Sequence, residues 1–224
     1  GRAGDITSQA TIAPGSLARA ELNAREDGVV AGLDLARAAF RLMDPAIRFE
    51  AFVKDGDWLS PGMVIAQVSG PARAVLSAER VALNFLMHLC GVASYTARFA
   101  AEIAHTQARV CCTRKTIPGL RALEKYAVRM GGGSSHRYGL DDAILIKDNH
   151  IAVSRGVAGA IAAARAFAGH LVKVEVEVTT LEELEEALEA QPDVILLDNM
   201  GPELLRRAVE INRDCAGLTE AAYA

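Results

Sequence analysis

The second half of the chain alternates short apolar runs with helix-like stretches, and this pattern narrows the possible folds more than any other feature. The runs are DAILIKDN from residue 142, KVEVEV from 173 and DVILLDN from 193, and RVCCTRK at 109–115 reads as an earlier strand of the same kind. Helix candidates lie between them at roughly 119–130, 154–168 and 180–190, with a fourth after Pro202. Strand alternating with helix predicts parallel βαβ units, in an open sheet or a barrel. The third helix carries Leu181, Leu184 and Leu188 on one face, and Thr180 and Glu183 have capping-box spacing at its start.

The first half has a different grammar. LARAELNARED reads as a strand, GVVAGLDLARAAFRLM as a glycine break and then a helix ending before Asp44-Pro45. FEAFVKDGDWLSPGMVIAQVSG reads as short strands separated by Asp-Gly and Pro-Gly turns. Ser77 is a candidate N-cap for a long helix whose Val81, Phe85, Leu89 and Val92 recur at helical spacing, with Gly91 a point of bending or interruption. The expectation is an α+β domain over 1–105 followed by an α/β domain over 106–224.

Charge is unevenly spread. From Thr113 to His150 there are seven Lys/Arg against four Asp/Glu, hence +3, while the remaining residues hold 17 against 24, hence −7. A local positive field in an acidic protein suits a small anionic ligand; nucleic acid would call for a broad basic surface. Arg121, Lys125 and Arg129 fall at helical spacing and read as a solvated helix face. No apolar run reads as a membrane span, no leader marks secretion, and the four cysteines lack CxxC spacing, so a reducing cytoplasm is expected.

The charged residues fall at one place in the repeated units. Arg114 and Lys115 follow the first run, Lys147 and Asp148 the second, Asp198 and Asn199 the last. In parallel α/β folds the carboxyl ends of the strands open onto one face, where ligands bind. Glu175 and Glu177 alternate with valines and share a strand face, Glu177 nearer the strand end. Arginine and lysine beside carboxylates suit a phosphorylated substrate carrying Mg²⁺, although ion pairs at a barrel mouth would give the same pattern.

At this point the motifs resemble a known family. TRKTIPGLRALEKYAV, GGGSSHRYGLDDAILIKDNHI, VEVEV and ILLDNM resemble, in order, successive motifs of quinolinate phosphoribosyltransferase, as do GDITS and SAERVALNFLMHLCGVAS earlier in the chain. The resemblance implies an N-terminal α+β sandwich beside an incomplete parallel α/β barrel. It implies transfer of phosphoribose from phosphoribosyl pyrophosphate to quinolinate with loss of CO2, using Mg²⁺. It also implies a homodimer or higher oligomer with a shared active site, cytoplasmic, with neither nucleic acid nor membrane as partner. Carried over by motif, Arg80 would reach the partner subunit's site. Arg114, His136, Arg137 and Lys147 would receive the dicarboxylate, and Lys115 and Lys147 the phosphates. Glu177 and Asp198 would meet the Mg²⁺-held ribose pyrophosphate and face its anomeric carbon, making Lys115, Glu177 and Asp198 the catalytic set. Cys111 and Cys112 read as strand core, His150 as a capping or core residue, Glu175 as structural and Trp58 as packing.

The family pattern would continue into a further strand with a Ser-Gly-Gly motif, whereas this chain runs DCAGLTEAAYA, and it begins almost on GDITS, so truncation at both ends is expected. Three alternatives follow. One is the related protein associated with molybdenum transport, against which the set Arg80, Arg114, His136 and Arg137 argues. Another is an inactive remnant that binds anions or a partner subunit. The third is a biotin- or lipoyl-type carrier, which lacks its Met-Lys-Met tip here and would leave the βα half unexplained.

Overall fold

The structure is a computed structural model. It describes residues 1–215 and, for the backbone alone, 220–223. The chain forms two compact units, Gly1–Tyr138 and Gly139–Ala224.

The first unit opens with α1 (Ile6–Thr11), β1 (Leu17–Asn23), β2 (Gly28–Val29) and α2 (Leu33–Met43). It continues with β3 (Arg48–Ala51), β4 (Trp58–Leu59), β5 (Val64–Pro71), the 31-residue α3 (Ala72–Glu102) and α4 (Arg121–Met130). Strands β1, β5 and β3 form an antiparallel sheet in that order, and β2 pairs with β4. The expected turns are in place. Gly56 and Gly62 take φ of 94° and 88°, the left-handed conformation that type II turns demand at their third residue. The core joins Ile65, Ala66 and Val68 of β5, Phe40 of α2, and Val75, Ala78, Ala82 and Leu86 of α3. Each large apolar side chain buried there contributes about 1.5–3 kcal/mol.

Two expectations for α3 are corrected. The helix begins at Ala72, and Ser77 lies inside it, its hydroxyl donating to Arg73 O and to Asp5 Oδ2. Asp5 is the true cap nearby: it accepts from Ser8 N at 3.0 Å and Ser8 Oγ at 2.6 Å at the start of α1. These bonds, the Ser8 side chain's first, hold its carboxyl below the usual range. The buried face of α3 runs through Val75, Ala78, Ala82, Leu86, Leu89 and Ala93, while Val81 is exposed. Small residues define the stripe because neighbouring elements approach closely, and counting large apolar residues misplaces it. By length and apolarity α3 could cross a membrane, contrary to expectation, but its apolar stripe is spent on this core.

Asp55, in the Asp-Gly turn, caps α2 from a distance. Gly32 offers no capping side chain, and the Asp55 carboxylate accepts from Gly32 N at 3.0 Å and Leu33 N at 3.2 Å. A carboxylate is favoured at the positive end of a helix. Tyr126 of α4 donates to the same carboxylate at 2.6 Å. Burial first, then that bond and the adjacent negative charge, push the Tyr126 phenol up to about 12. A folded-state value above the ordinary one of about 10 stabilises the fold at and below neutral pH. That contribution is lost as pH rises through about 12. In an ultraviolet titration Tyr126 is expected to ionise only near pH 12, and Asp55→Ala to return it toward its ordinary value. A Tyr126 phenol that ionises near pH 10 in the folded protein would sink this account.

The second unit holds β6 (Ile144–Ile146), α5 (Asp148–Val153), α6 (Gly156–Phe167) and β7 (Val174–Val178). It continues with α7 (Leu181–Ala190), β8 (Val194–Leu197), α8 (Pro202–Asp214) and β9 (Glu220–Tyr223). The four strands form a parallel sheet in sequence order. Val174, Val176 and Val178 pack with Ile195 and Leu197 against α6, α7 and α8. Thr180 caps α7, Oγ1 accepting from Glu183 N, but the glutamate reaches back to Thr179 rather than to the cap itself.

The remaining corrections concern strands and one helix. RVCCTRK makes only an isolated parallel bridge, Cys111 to Ser134, and Cys111 is exposed rather than core. A strand beyond β8 was not expected, yet β9 pairs with β8 along Val194–Leu197. Residues 216–219 and 224, in the DCAGLTEAAYA end, lie outside the described residues. Helix α5 was also not expected, being too short for its period to show.

Candidate active site

In the second unit the strand register alone explains the main polar contact. Ile146 pairs with Val176, so the next residue on each strand, Lys147 and Glu177, come opposite one another. Side chains alternate across a sheet, so both point away from the helix-covered valine face. Lys147 Nζ meets Glu177 Oε2 at 2.7 Å, with the lysine side chain 44% exposed and the glutamate 10%. Glu175, two residues back on the same face, is also buried. Asp198 follows β8, its N–H donating to Val178 O at 3.0 Å and its carboxylate accepting from Asn199 Nδ2 at 2.9 Å. Asn199 turns the chain away with φ of 57°. Lys147, Glu177 and Asp198 therefore share the carboxyl end of one parallel sheet. His150 is a capping residue as expected, Nδ1 accepting from Lys147 N at 2.9 Å.

In the first unit two irregular segments carry the predicted cations. Ser134 joins them, its N–H donating to Val110 O at 2.7 Å and its carbonyl accepting from Cys112 N at 3.1 Å. The first segment is then tied down at Thr113–Ile117. Lys115 N donates to Thr113 Oγ1, Thr116 N to Arg114 O, and Ile117 N to Glu124 Oε2. Glu124 is itself held by His88 Nε2 at 2.9 Å. Lys115 is exposed, whereas Arg114 is half-buried and its Nε lacks a hydrogen-bond partner. The second segment carries His136 and Arg137, both half-buried.

The α4 side chains that read as a solvated face instead brace both segments. Lys125 is only 1% exposed, with Nζ donating to Cys112 Sγ at 3.0 Å and His136 O at 2.9 Å, and lying over the Tyr138 ring. Arg121 donates to Thr116 Oγ1 and to Tyr138 O. Arg129 donates to the Tyr138 hydroxyl at 2.9 Å. The i, i+4 spacing gave the shared face correctly. What covers that face is an aperiodic segment that leaves no signal of its own in the sequence.

The structure thus places Arg80, Arg114, Lys115, His136 and Arg137 in the first unit and Lys147, Glu177 and Asp198 in the second. Arg80 is exposed on α3 and lines a groove with Arg19, Glu21, Arg25 and Glu79, a groove that the other site candidates do not line. Trp58 is exposed in β4.

Residues 5–90 match the N-terminal domain of quinolinate phosphoribosyl transferase, and residues 92–222 its C-terminal domain. A probable nicotinate-nucleotide pyrophosphorylase (carboxylating) of Bacillus subtilis is 46% identical over 208 residues, covering 93% of this chain and 72% of the relative. The nicotinate-nucleotide pyrophosphorylase (carboxylating) of Mycobacterium leprae is 44% identical over 200 residues, covering 87% and 69%. The crystal structure of NadC from Streptococcus pyogenes superposes with a TM-score of 0.90 at 43% identity, covering 98% of this chain and 78% of that one. The α+β first half, the parallel α/β second half and the two consecutive domain matches converge: the chain belongs to the quinolinate phosphoribosyl transferase family.

Proposed function

We infer that this chain is a pentosyltransferase that moves phosphoribose from phosphoribosyl pyrophosphate to quinolinate. The products are nicotinate mononucleotide, pyrophosphate and carbon dioxide, a step of NAD biosynthesis. The observation that carries this reading is the Lys147–Glu177 pair at the carboxyl end of the parallel sheet, in a chain that matches both domains of the family.

Quinolinate brings two carboxylates and the donor several phosphate charges, so the site must be more positive than the acidic protein around it. Arg114, His136, Arg137 and Lys147 receive the dicarboxylate, and a guanidinium with an unused buried Nε, as in Arg114, suits that task. Lys115 and Lys147 meet phosphate oxygens. These cations hold the ring nitrogen in line with the anomeric carbon, a contribution from position rather than covalent chemistry. As pyrophosphate departs, that carbon becomes oxocarbenium-like, and Glu177 and Asp198 stabilise its positive charge. The pyridinium formed by attack then favours loss of the adjacent carboxylate.

Glu177 and Asp198 would also hold Mg²⁺. Such an ion is held mainly by phosphate oxygens and one or two carboxylates. Bound with the donor, Mg²⁺ would neutralise charge developing on the leaving pyrophosphate. We assign catalysis to residues 106–224 and covering of the site to residues 1–105, in a cytoplasmic homodimer where Arg80 serves the partner subunit's site.

The test is an assay of the purified chain with quinolinate, phosphoribosyl pyrophosphate and Mg²⁺. Nicotinate mononucleotide, pyrophosphate and CO2 are expected in equal amounts, and none when the donor is omitted. A folded protein that yields no product would overturn the reading.

A further inference from the structure

We propose that Lys125 is a positioning residue that sets the affinity for quinolinate by fixing the spacing between the two cation-bearing segments of the first unit. The proposal rests on the reaction inferred above. A lysine that is 1% exposed has lost its hydration, and burying an ammonium is costly unless partners replace the water. Here the partners are neutral. The ammonium donates to the Cys112 sulfur at 3.0 Å and to the His136 carbonyl at 2.9 Å, and it lies 5.0 Å from the Tyr138 ring centroid. Among the described residues no carboxylate hydrogen-bonds to it.

Those partners identify the role. Cys112 lies two residues before Arg114, and His136 is itself a candidate ligand residue followed by Arg137. One ammonium therefore ties the segment carrying Arg114 to the segment carrying His136 and Arg137. One helical turn away, Arg121 makes a second tie between the same segments, from Thr116 Oγ1 to Tyr138 O. The segments also meet at the Ser134 bridge, to which Cys112 itself belongs through its N–H donating to Ser134 O at 3.1 Å. An apolar side chain would fill the same space without fixing either segment. Ligation of a rigid dicarboxylate by several cations depends on their spacing, and small displacements of such groups cost large factors.

The experiment is steady-state kinetics of wild type, Lys125→Met and Arg121→Met, each substrate varied in turn, with calorimetric titration of quinolinate into each protein. Lys125→Met is expected to raise the quinolinate KM, and to weaken calorimetric binding, by roughly tenfold to a hundredfold. The KM for phosphoribosyl pyrophosphate and kcat should change much less. Arg121→Met should shift quinolinate in the same direction by a smaller factor. An unchanged quinolinate KM in Lys125→Met overturns the proposal, as does a shift of both KM values together with a lowered melting temperature, the mark of a general folding defect. If Lys125→Met does not fold, an unchanged quinolinate affinity in Arg121→Met overturns it. A wild type without product overturns the reaction itself, and quinolinate calorimetry on the same proteins then decides the positioning claim separately.

Discussion

Glu177→Gln is expected to lower kcat by roughly a hundredfold to a thousandfold while leaving the KM for quinolinate little changed. The substitution keeps shape and hydrogen bonding but removes the negative charge that is to face the developing oxocarbenium. It should cost little stability. Lys147, the partner at 2.7 Å, has a side chain 44% exposed, so water replaces the lost ion pair. A loss of about 1 kcal/mol or less is expected, as for other solvent-accessible pairs. The converse change is not symmetric. Lys147→Met strands a carboxylate whose side chain is 10% exposed, and stranding a buried charge costs about 3 kcal/mol or more. The measurements are kcat and both KM values at saturating co-substrate, with thermal melts of both variants. Wild-type turnover in Glu177→Gln would reduce Glu177 to a counter-ion for Lys147.

That Lys147 and Glu177 lie at one end of the sheet was legible in advance because parallel sheets make simple rules hold, although their ion pair was not. VEVEV announces one apolar and one polar face, and residues that follow consecutive strands share an end of the sheet. The apolar runs behind β6, β7 and β8, the helices α4, α6, α7 and α8, and the Thr180 cap follow from period and capping chemistry in the same way. Lys125 was not legible. Its helix shows a polar face at i, i+4 spacing, but sequence periodicity reports only which side chains share a face. It does not report whether water or another part of the chain lies over them. The covering segment, from Ser134 to Tyr138, has no period of its own, so nothing marked it as a partner. RVCCTRK misled for the opposite reason. Its composition suits a strand, but its pairing at the Cys111 bridge is limited to a single residue of the glycine-led segment.

The glycines in that segment lead to the second large effect. Gly131→Ala is expected to destabilise the first unit by about 3 kcal/mol. The reason is not backbone conformation, since Gly131 has φ of −79°, which alanine adopts freely. A Cβ at this position would lie 2.2 Å from Ala93 O, 3.0 Å from Ala93 C and 2.8 Å from Thr96 Cβ. The obstacle is the main chain of α3, and it has nowhere to go. Ala93 is fully buried in a cluster with Val29, Ala31, Leu89 and Ala127. The next glycine separates the two kinds of cost. Gly132 has φ of +86° but open space, its Cβ meeting only Ala100 Cβ at 3.9 Å. Gly132→Ala should therefore cost only about 1–2 kcal/mol of backbone strain. For a protein of this size 1 kcal/mol shifts Tm by about 2–4 °C, so Gly131→Ala should melt roughly 6–12 °C lower, and Gly132→Ala roughly 2–8 °C lower, one third to two thirds as much. Gly131 ends α4, the helix that braces the segments bearing Arg114 and His136, so lost packing should also weaken quinolinate binding in the folded fraction. A Gly131→Ala protein that melts with wild type while Gly132→Ala melts early would reverse the assignment: the glycines would then serve turn geometry, and the close approach of α3 to α4 would not constrain the fold.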